Sequence, residues 1–416
     1  MKRQERTIYV YDAAGTGEAE LMGCLYSENY RAEELCSFAY DENYLLRHGG
    51  TTPLDPHLEL YAGRQQLAGS AALFGLFADS CPGEWGKALL KKLETERAQR
   101  EDRKPTLLHE CDYLVGVCDE IRHGALRFRR QPDGKFVAPG GILAMPPLSS
   151  LRTLEKTVNQ WERNEKPLTG REFLSLLASG GALDGNRPKV TVRSPDGSLW
   201  MAKFPSVNDE WDVGAWEYVL NDLAHRCSLR VPEAMKFRFS AYGTTFLTRR
   251  FDREGEKRVH FLSAATLLGL APGSERDTKL SYTDLAEIIR ARGASPKEDL
   301  EELWRRMVFY IAVSNTEDSI TNFGFLLQGN GWRLAPAFGM HPNPWGRPLC
   351  LSVAGEGTAT VAKAVECAKY FGLPQMKALQ EANAICEIVC TEWRASAAKC
   401  GISPAEIDAM RPAFAP

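Results

Sequence analysis

The sequence predicts an α+β protein in which a small N-terminal domain at residues 1–165 precedes a two-lobed unit at residues 166–416. The chain has 416 residues, which is more than one hydrophobic core usually supports. A strand-like segment opens the first predicted domain, and a predicted β-hairpin follows the small-residue loop that opens the second. Segments with apolar residues at helical spacing dominate from about residue 256, so the second unit should have a β-rich lobe to about residue 255 and then a helical lobe.

Composition excludes several classes of protein. Hydrophobic residues make up 44% of the chain and charged residues 25%, as in an ordinary folded protein. The net charge is −3, with 51 basic and 54 acidic residues, so we expect no direct binding to nucleic acid and none to an anionic membrane. The sequence shows no secretory signal and no apolar stretch long enough for a bilayer, which predicts a cytoplasmic location. Eleven cysteines without CxxC spacing predict mostly buried free thiols.

The first predicted domain contains the strand-like segment TIYVYD and later helical segments. Residues 84–103 carry apolar residues at helical spacing and then become almost entirely charged, which predicts an amphipathic helix running into solvent. Residues 112–130 predict a helix followed by a hairpin that turns at Pro132-Asp133-Gly134. These elements together indicate a small α+β domain.

The second predicted domain has a recognisable order of elements. Residues 151–178 show helical spacing, and a loop of small residues follows. Alternating residues on both sides of Ser194-Pro195-Asp196-Gly197 predict a β-hairpin, and the segment GAWEYVLNDLAHRC predicts a helix. A strand, several helices and a last hairpin turning at Gly329-Asn330-Gly331 complete the chain. This order is typical of a protein kinase.

A loop from residue 179 to residue 189 is the first candidate site. Glycines let backbone N–H groups approach phosphate oxygens closely, so the loop is a candidate for nucleotide binding. A flexible linker between domains would have the same composition. The candidate cofactor-binding residues of this loop are Ser179, Gly180, Gly181, Gly185 and Lys189.

Lys203 and Glu217 form the second candidate site. Lys203 lies near the end of the predicted hairpin, and Glu217 lies on the helix that follows. A lysine placed there can neutralise nucleotide phosphates while the glutamate holds its ammonium group, which is the pairing that protein kinases use. The alternative is two unrelated surface charges. We expect an ion pair that faces the loop at residues 179–189.

The third candidate site is the polar segment between the last long helix of this region and the last hairpin. It contains Glu317, Asp318 and Asn322. In a kinase catalytic loop an acidic residue orients or deprotonates the attacking hydroxyl, and an Asn a few positions later binds Mg²⁺. A loop that only caps the helix is the alternative. We expect Glu317 and Asn322 to lie in the same cleft as the lysine and glutamate pair.

Taken together, these motifs resemble the HipA family of bacterial Ser/Thr kinases, which are the toxins of toxin–antitoxin systems with a HipB-type DNA-binding antitoxin. The resemblance covers nearly the whole chain and implies a two-lobed kinase fold, ATP and Mg²⁺ as cofactors, and a HipB-like partner. The matching segments are Leu60-Tyr61-Ala62-Gly63-Arg64, Leu73–Asp79, Gly124–Phe128, Arg187-Pro188-Lys189, Lys203-Phe204-Pro205, Arg250-Phe251-Asp252-Arg253, His260 with Ser263-Ala264, and Pro342-Asn343-Pro344.

Several positions depart from the pattern that the resemblance implies. Glu317 stands at the catalytic Asp, Ser319 at the His of the loop, and Gly339 at the second metal-binding Asp. Gly181 and Ala182 stand where the family's glycine loop carries serines. These changes predict an ATP-binding, pseudokinase-like regulator with impaired phosphoryl transfer.

Two alternatives stay open at this point. The first is an active kinase toxin that phosphorylates a translation-related protein, in which Glu317 or Asp318 serves as base. The second is a module that binds a HipB-like partner, acts on DNA only through it, and has no use for nucleotide.

Overall fold

A computed structural model describes residues 5–15, 17–30, 33–67, 72–138, 145–163, 168, 170–180, 185–274, 279–346, 348–353 and 359–414. The chain divides into two compact units. The first contains residues up to Ala202 together with Asp252–Leu262 and Gly269–Pro272, and the second contains Lys203–Phe251, Ser263–Leu268 and the residues from Gly273 onward. The predicted domain boundary after residue 165 stays a prediction, and the compact units divide elsewhere, between Ala202 and Lys203.

The described residues form strands and helices in alternating blocks. The strands are β1 (Glu5–Asp12), β2 (Glu20–Tyr30), β3 (Glu33–Tyr40), β4 (Arg64–Gln66), β5 (Leu126–Arg129), β6 (Lys189–Arg193), β7 (Leu199–Lys203), β8 (Ala234–Phe237), β9 (Thr245–Arg249), β10 (Arg253–Glu254), β11 (Lys257–Arg258), β12 (Phe261–Ser263), β13 (Gly324–Gln328) and β14 (Gly331–Leu334).

The α-helices lie mostly in the second half of the chain. They are α1 (Glu42–His48), α2 (Gly75–Ala78), α3 (Glu84–Arg100), α4 (Glu110–Gly116), α5 (Leu151–Glu162), α6 (Gly170–Gly180), α7 (Val213–Arg226), α8 (Ala264–Leu267), α9 (Tyr282–Arg292), α10 (Pro296–Ala312), α11 (Val361–Glu366), α12 (Gln375–Cys400) and α13 (Pro404–Met410). None of these described helices is long and apolar enough to cross a membrane.

The first unit contains an antiparallel five-stranded sheet. Its strand order is β4-β3-β2-β1-β5, so a meander of four strands receives β5 at the free edge of β1. On β1, Ile8 and Val10 are buried, as the period of two along a half-buried strand requires. The predicted helix at residues 84–103 is α3, which ends at Arg100.

Three other predictions for this unit concern two turns and one helical segment. The turn at residues 132–134 follows β5, and beyond it an isolated antiparallel bridge joins Arg129 and Phe136, as expected for a hairpin. The helical segment predicted at residues 151–178 is two helices, α5 and α6. The predicted turn between β6 and β7 is also present, where the N–H of Gly197 donates to Ser194 O at 2.9 Å.

The second unit places its helices as predicted from their spacing. On α7, Trp216, Val219, Leu220 and Leu223 are all fully buried, which confirms the predicted apolar face. The last hairpin pairs Gln328 with Gly331, so its turn consists of the two residues between them. Of the eleven cysteines, six are buried and all are free thiols.

Asp299 connects the start of α10 with the last hairpin. Its carboxylate is fully buried and accepts hydrogen bonds from Arg333 Nε at 2.9 Å and from the N–H of Leu334 at 3.0 Å. Arg230 forms a further ion pair with it. Because the loop that contains Glu317 runs from the end of α10 to β13, Asp299 stabilises the two elements that carry this loop.

We expect Asp299→Asn to lower the free energy of unfolding by about 3 kcal/mol, since it leaves two arginines without their buried charge partner. The matched control is Glu298→Gln, because Glu298 also pairs with Arg333 but its side chain is 71% exposed. The control should lose about 1 kcal/mol or less. Urea unfolding of both variants is the measurement, and equal losses would contradict the role assigned to Asp299.

Candidate active site

Lys203 and Glu217 form an ion pair, as the sequence predicts. Lys203 Nζ contacts Glu217 Oε1, and the two side chains are only 12% and 4% exposed. Lys203 is the last residue of β7, and Glu217 lies on α7. The ring of Phe246 lies 6.0 Å from the ammonium group. Such a pair is partly shielded from water, so its charges interact more strongly than exposed charges do.

His341 connects this pair with the polar loop. Its Nε2 atom lies 4.0 Å from Glu217 Oε2, and its backbone N–H donates to Asn315 Oδ1 at 2.8 Å. Asn315 lies in the segment that leads to Glu317. The ion pair and the polar loop therefore belong to one site within the second unit.

The polar loop itself holds Glu317 and Asn322 next to each other. Asn322 Nδ2 donates to the backbone oxygen of Glu317 at 2.6 Å, and the Glu317 side chain is exposed. Because the amide nitrogen is used in this bond, the Asn322 oxygen is the atom suited to a cation. The loop brings together the two residues that were predicted to act together.

Gly339 lies against Asn322. Its φ angle is +68°, and a Cβ atom added there would lie 3.4 Å from the amide carbon and 3.5 Å from the amide oxygen and nitrogen of Asn322. A side chain at position 339 would therefore extend beside the predicted magnesium ligand. The resemblance implies a metal-binding Asp at position 339, and this chain has only hydrogen there.

Asp318 differs from Glu317 in its surroundings. Its carboxylate is fully buried and accepts hydrogen bonds from Tyr282 OH and from the N–H of Cys350, both at 2.6 Å. Burial raises the pKa of the Asp318 carboxyl to about 6. Its two oxygens are used within the fold, which favours a structural role for Asp318 over the predicted catalytic one.

The segment after Gly339 supports the loop from the other side. Asn343 Nδ2 donates to Thr316 Oγ1 at 2.7 Å, and the N–H of Asn343 donates to Ser314 O at 3.1 Å. Cys350 Sγ lies 3.0 Å from Thr316 O. Sequence reasoning found Asn343 only through its match to the family, because nothing in its local pattern indicates this bracing role.

The predicted glycine loop begins later than expected. Ser179 and Gly180 form the end of α6, and Ser179 is fully buried with its hydroxyl donating to Ser175 O at 2.7 Å. The prediction that a loop starts at Ser179 is therefore wrong. A serine whose hydroxyl is bonded inside its own helix is poorly placed to contact phosphate.

Gly185 and Lys189 are the described remainder of that loop. Gly185 has φ +93°, and a Cβ atom added there would lie 2.7 Å from Lys189 Nζ, so the lysine ammonium packs against the glycine. Lys189 is buried at the start of β6. Gly181 and Ala182 lie outside the described residues, and the nucleotide-binding role of the loop stays a prediction.

The chemistry that these residues allow follows from their atoms. Lys203 supplies a positive charge for phosphate, and the oxygens of Asn322 and Glu317 are the hard ligands that Mg²⁺ prefers. These donors fit the two predicted cofactors in kind. A carboxylate at position 339 would add a further ligand beside Asn322.

One family model and several solved structures match the chain. A family model described as the HipA-like C-terminal domain matches residues 180–396. The fold is similar to that of a chain in the toxin–antitoxin complex of HipA, HipB and operator DNA from Shewanella oneidensis MR-1, with 14% identity, a TM-score of 0.65, and coverage of 98% of this chain and 96% of that chain. This likeness confirms the predicted fold class.

A second solved structure shows a weaker likeness. It is the proinflammatory kinase CtkA of Helicobacter pylori, with 15% identity, a TM-score of 0.38, and coverage of 56% of this chain and 93% of that chain. No curated protein matches the chain.

The buried carboxyl of Asp318 should make stability depend on pH. The folded state holds its proton more tightly than the unfolded chain does, with a pKa of about 6 instead of 3.8. Its contribution is therefore fully present below about pH 4 and is lost as the pH rises to about 6, with a magnitude of about 2–3 kcal/mol.

Asp318→Asn removes this titration and keeps an acceptor for the N–H of Cys350. Between pH 4 and pH 7 the wild type should lose about 2 kcal/mol more of its free energy of unfolding than the variant does. Urea unfolding of both proteins at the two pH values is the measurement. Asp408→Asn is the control, because the Asp408 side chain is 74% exposed. Parallel pH profiles for Asp318→Asn and the wild type would contradict the burial argument.

Proposed function

The chain belongs to the HipA-like C-terminal domain family, and from this premise we propose that it binds ATP with Mg²⁺ and transfers phosphate slowly or not at all. It would then act as a pseudokinase-like regulator on a Ser/Thr kinase fold. The observation that carries the proposal is Gly339, which leaves hydrogen where a carboxylate would extend beside Asn322.

The loss of this carboxylate matters because of how proteins hold magnesium. Mg²⁺ usually binds through one or two carboxylates together with substrate phosphates. With Gly339 in place of one of them, Asn322, Glu317 and the nucleotide itself would have to hold the ion. When bound, Mg²⁺ supplies positive charge that neutralises the phosphates. His341 is a poor substitute ligand, since imidazole suits softer metals.

The base is also displaced relative to the family pattern. Glu317 has one methylene more than Asp, and its side chain extends into solvent. A misplacement near 1 Å can cost about 10²-fold in rate, within the 10²–10⁴-fold that a positioned general base contributes. Together with the missing carboxylate, this supports impaired transfer.

Retention of nucleotide binding is supported by the ion pair of Lys203 and Glu217. A lysine held by a glutamate on the next helix keeps its ammonium group in one place, where it can bind nucleotide phosphates. Burying two charges costs several kcal/mol of solvation per ion, so the position of this pair beside the polar loop supports a use for its charge.

A HipB-like partner is a further part of the proposal. The fold is similar to that of a chain in a complex of HipA, HipB and operator DNA, which supports a partner of the same kind here. An active toxin that phosphorylates a translation-related protein and is neutralised by such an antitoxin is the alternative function. A module that only binds the partner is the other.

We expect saturating Mg-ATP to raise the thermal unfolding midpoint of the wild type. Ligand at about 100 times its Kd stabilises a protein by about 2.7 kcal/mol, which corresponds to roughly 2–4 °C. Lys203→Ala should abolish the shift, whereas Lys377→Ala should keep it, because the ion pairs of Lys377 among the described residues are with Glu301 and Glu381 on the helical side. A wild type without any shift would favour the module that only binds a partner.

Phosphate transfer by the wild type should be slow, and the triple variant Gly339→Asp, Glu317→Asp, Ser319→His should raise it. These positions supply the metal carboxylate, the base and the loop geometry. Glu317→Asp alone should do little, since catalytic groups that act as a unit are strongly non-additive. Radiolabelled transfer from ATP to the chain itself and to a generic substrate is the measurement.

The control replaces Gly339→Asp in the triple variant with Gly339→Asn. Asn tolerates the same positive φ and has the same size, but it lacks the charge. It should fail to raise transfer. Fast transfer by the unmodified chain that Lys203→Ala abolishes would instead establish the active kinase.

A further inference from the structure

The first turn of α7 is held by a residue from the far end of the chain. Glu406 Oε1 accepts two hydrogen bonds, from the N–H of Asp212 at 2.9 Å and from Trp216 Nε1 at 2.8 Å. Asp212 is the N-cap of α7, and Glu217 directly follows Trp216. One carboxylate on α13 therefore binds both ends of the helical turn that presents the partner of Lys203.

The Asp212 side chain is the usual N-cap acceptor, but it is not available to the Trp216 indole N–H. Its carboxylate already accepts from the N–H of Ala215 at 3.1 Å and from the N–H and hydroxyl of Thr244 at 2.8 and 2.9 Å. A buried donor without a partner costs about 1–3 kcal/mol, so Glu406 removes that penalty for the fully buried indole N–H. A carboxylate at the N-terminus of a helix is also favoured by the helix dipole.

Aromatic packing fixes the indole in the same place. The Trp216 ring lies 6.5 Å from Trp393 on α12 and 5.8 Å from Phe414, centroid to centroid. Trp393 and Phe414 are stacked at 4.4 Å. Ser403 caps α13 by accepting from the N–H of Glu406, which fixes the backbone of the glutamate as well.

The two faces of α7 are mechanically linked because the helix is rigid. Neighbouring residues on a helix point about 100° apart, so Trp216 can face the C-terminal segment while Glu217 faces Lys203. Any rotation or shift of this turn that releases the indole moves the Glu217 carboxylate too. A displacement near 1 Å at such a group is enough to change function.

We propose that Glu406 is a positioning residue for Glu217, through which the C-terminal helix α13 sets the ion pair of Lys203 and Glu217. The proposal rests on the proposed function, since its consequence is control of nucleotide binding. It assigns a regulatory role to residues 404–414, which are distant in sequence from every residue of the site.

Selective acylation of Lys203 tests the positioning directly. The native full-length chain is treated with a limiting amine-reactive reagent, and the modification of Lys203 is quantified by peptide mass spectrometry against Lys377 as an internal standard. Glu406→Ala should raise Lys203 labelling toward the value of Glu217→Gln. Glu406→Gln, which keeps an acceptor oxygen, should restore it to near the wild-type value, and Asp408→Ala on the same helix should leave it unchanged.

Nucleotide affinity provides the second readout. Mg-ATP should bind Glu406→Ala about 10-fold more weakly, because a displaced Glu217 no longer holds the Lys203 ammonium group in place for the phosphates. In a Glu217→Gln background, Glu406→Ala should cause no further loss, because both act through the same pair. Trp216→Phe removes the indole donor and keeps a ring, so it should change both readouts in the same direction even if Glu406→Ala fails to fold.

The outcomes separate the two proposals. If Glu406→Ala lowers the unfolding midpoint but leaves Lys203 labelling and affinity at wild-type values, Glu406 is only structural and the inference is wrong. If the wild type binds no Mg-ATP, the proposed function fails, and Lys203 labelling still decides the positioning role. The positioning role would also be wrong if Glu406→Ala lowered Mg-ATP affinity in the Glu217→Gln background by as much as it does in the wild type.

Discussion

The ion pair of Lys203 and Glu217 is mostly shielded from water, and it is stable only if the elements that carry the two residues stay in place. Lys203 and Glu217 are 12% and 4% exposed, and each pays a solvation cost that only a close and stable partner offsets. Glu217 must therefore stay in place, and α7 must not slide or rotate. Three contacts stabilise this one helix: the N-cap at Asp212, the packing of the Trp216 ring against Trp393 and Phe414, and the hydrogen bonds to Glu406. Much of the second unit can be understood as support for it.

The polar loop depends on a separate set of supports. Asp299 stabilises the helix before the loop and the hairpin after it. Within the loop, Asp318 is hydrogen-bonded to Tyr282, and Asn343 donates to Thr316. None of these supports involves position 339, where Gly339 has no side chain. The polar loop is therefore held in place by contacts that are independent of that position.

Local pattern was enough to predict much of this architecture. The hairpin around Gly197, the apolar face of α7 and the hairpin after Asn322 follow from alternation, helical spacing and turn residues. The ion pair could be predicted because both partners lie on elements whose order is typical of kinases. Ser179 was misplaced because helix ends are poorly marked when small residues continue the helical spacing, as Ala178 and Gly180 do here. Asp318 looked like a base because burial cannot be read from a polar stretch. Glu406 gave no signal, since its partners lie about 190 residues earlier and no local pattern links them.

The backbone at Gly339 has a consequence for how this chain can change over time. At φ +68° most side chains are strained by roughly 1 kcal/mol or more, and branched ones by more. Only a few residue types, Asp and Asn among them, are tolerated there. Substitution at this position is therefore confined to a narrow set of residues, and the two with short oxygen-bearing side chains, Asp and Asn, are among them. The backbone at position 339 would accept an oxygen ligand beside Asn322 after a single substitution, with no change in the path of the chain.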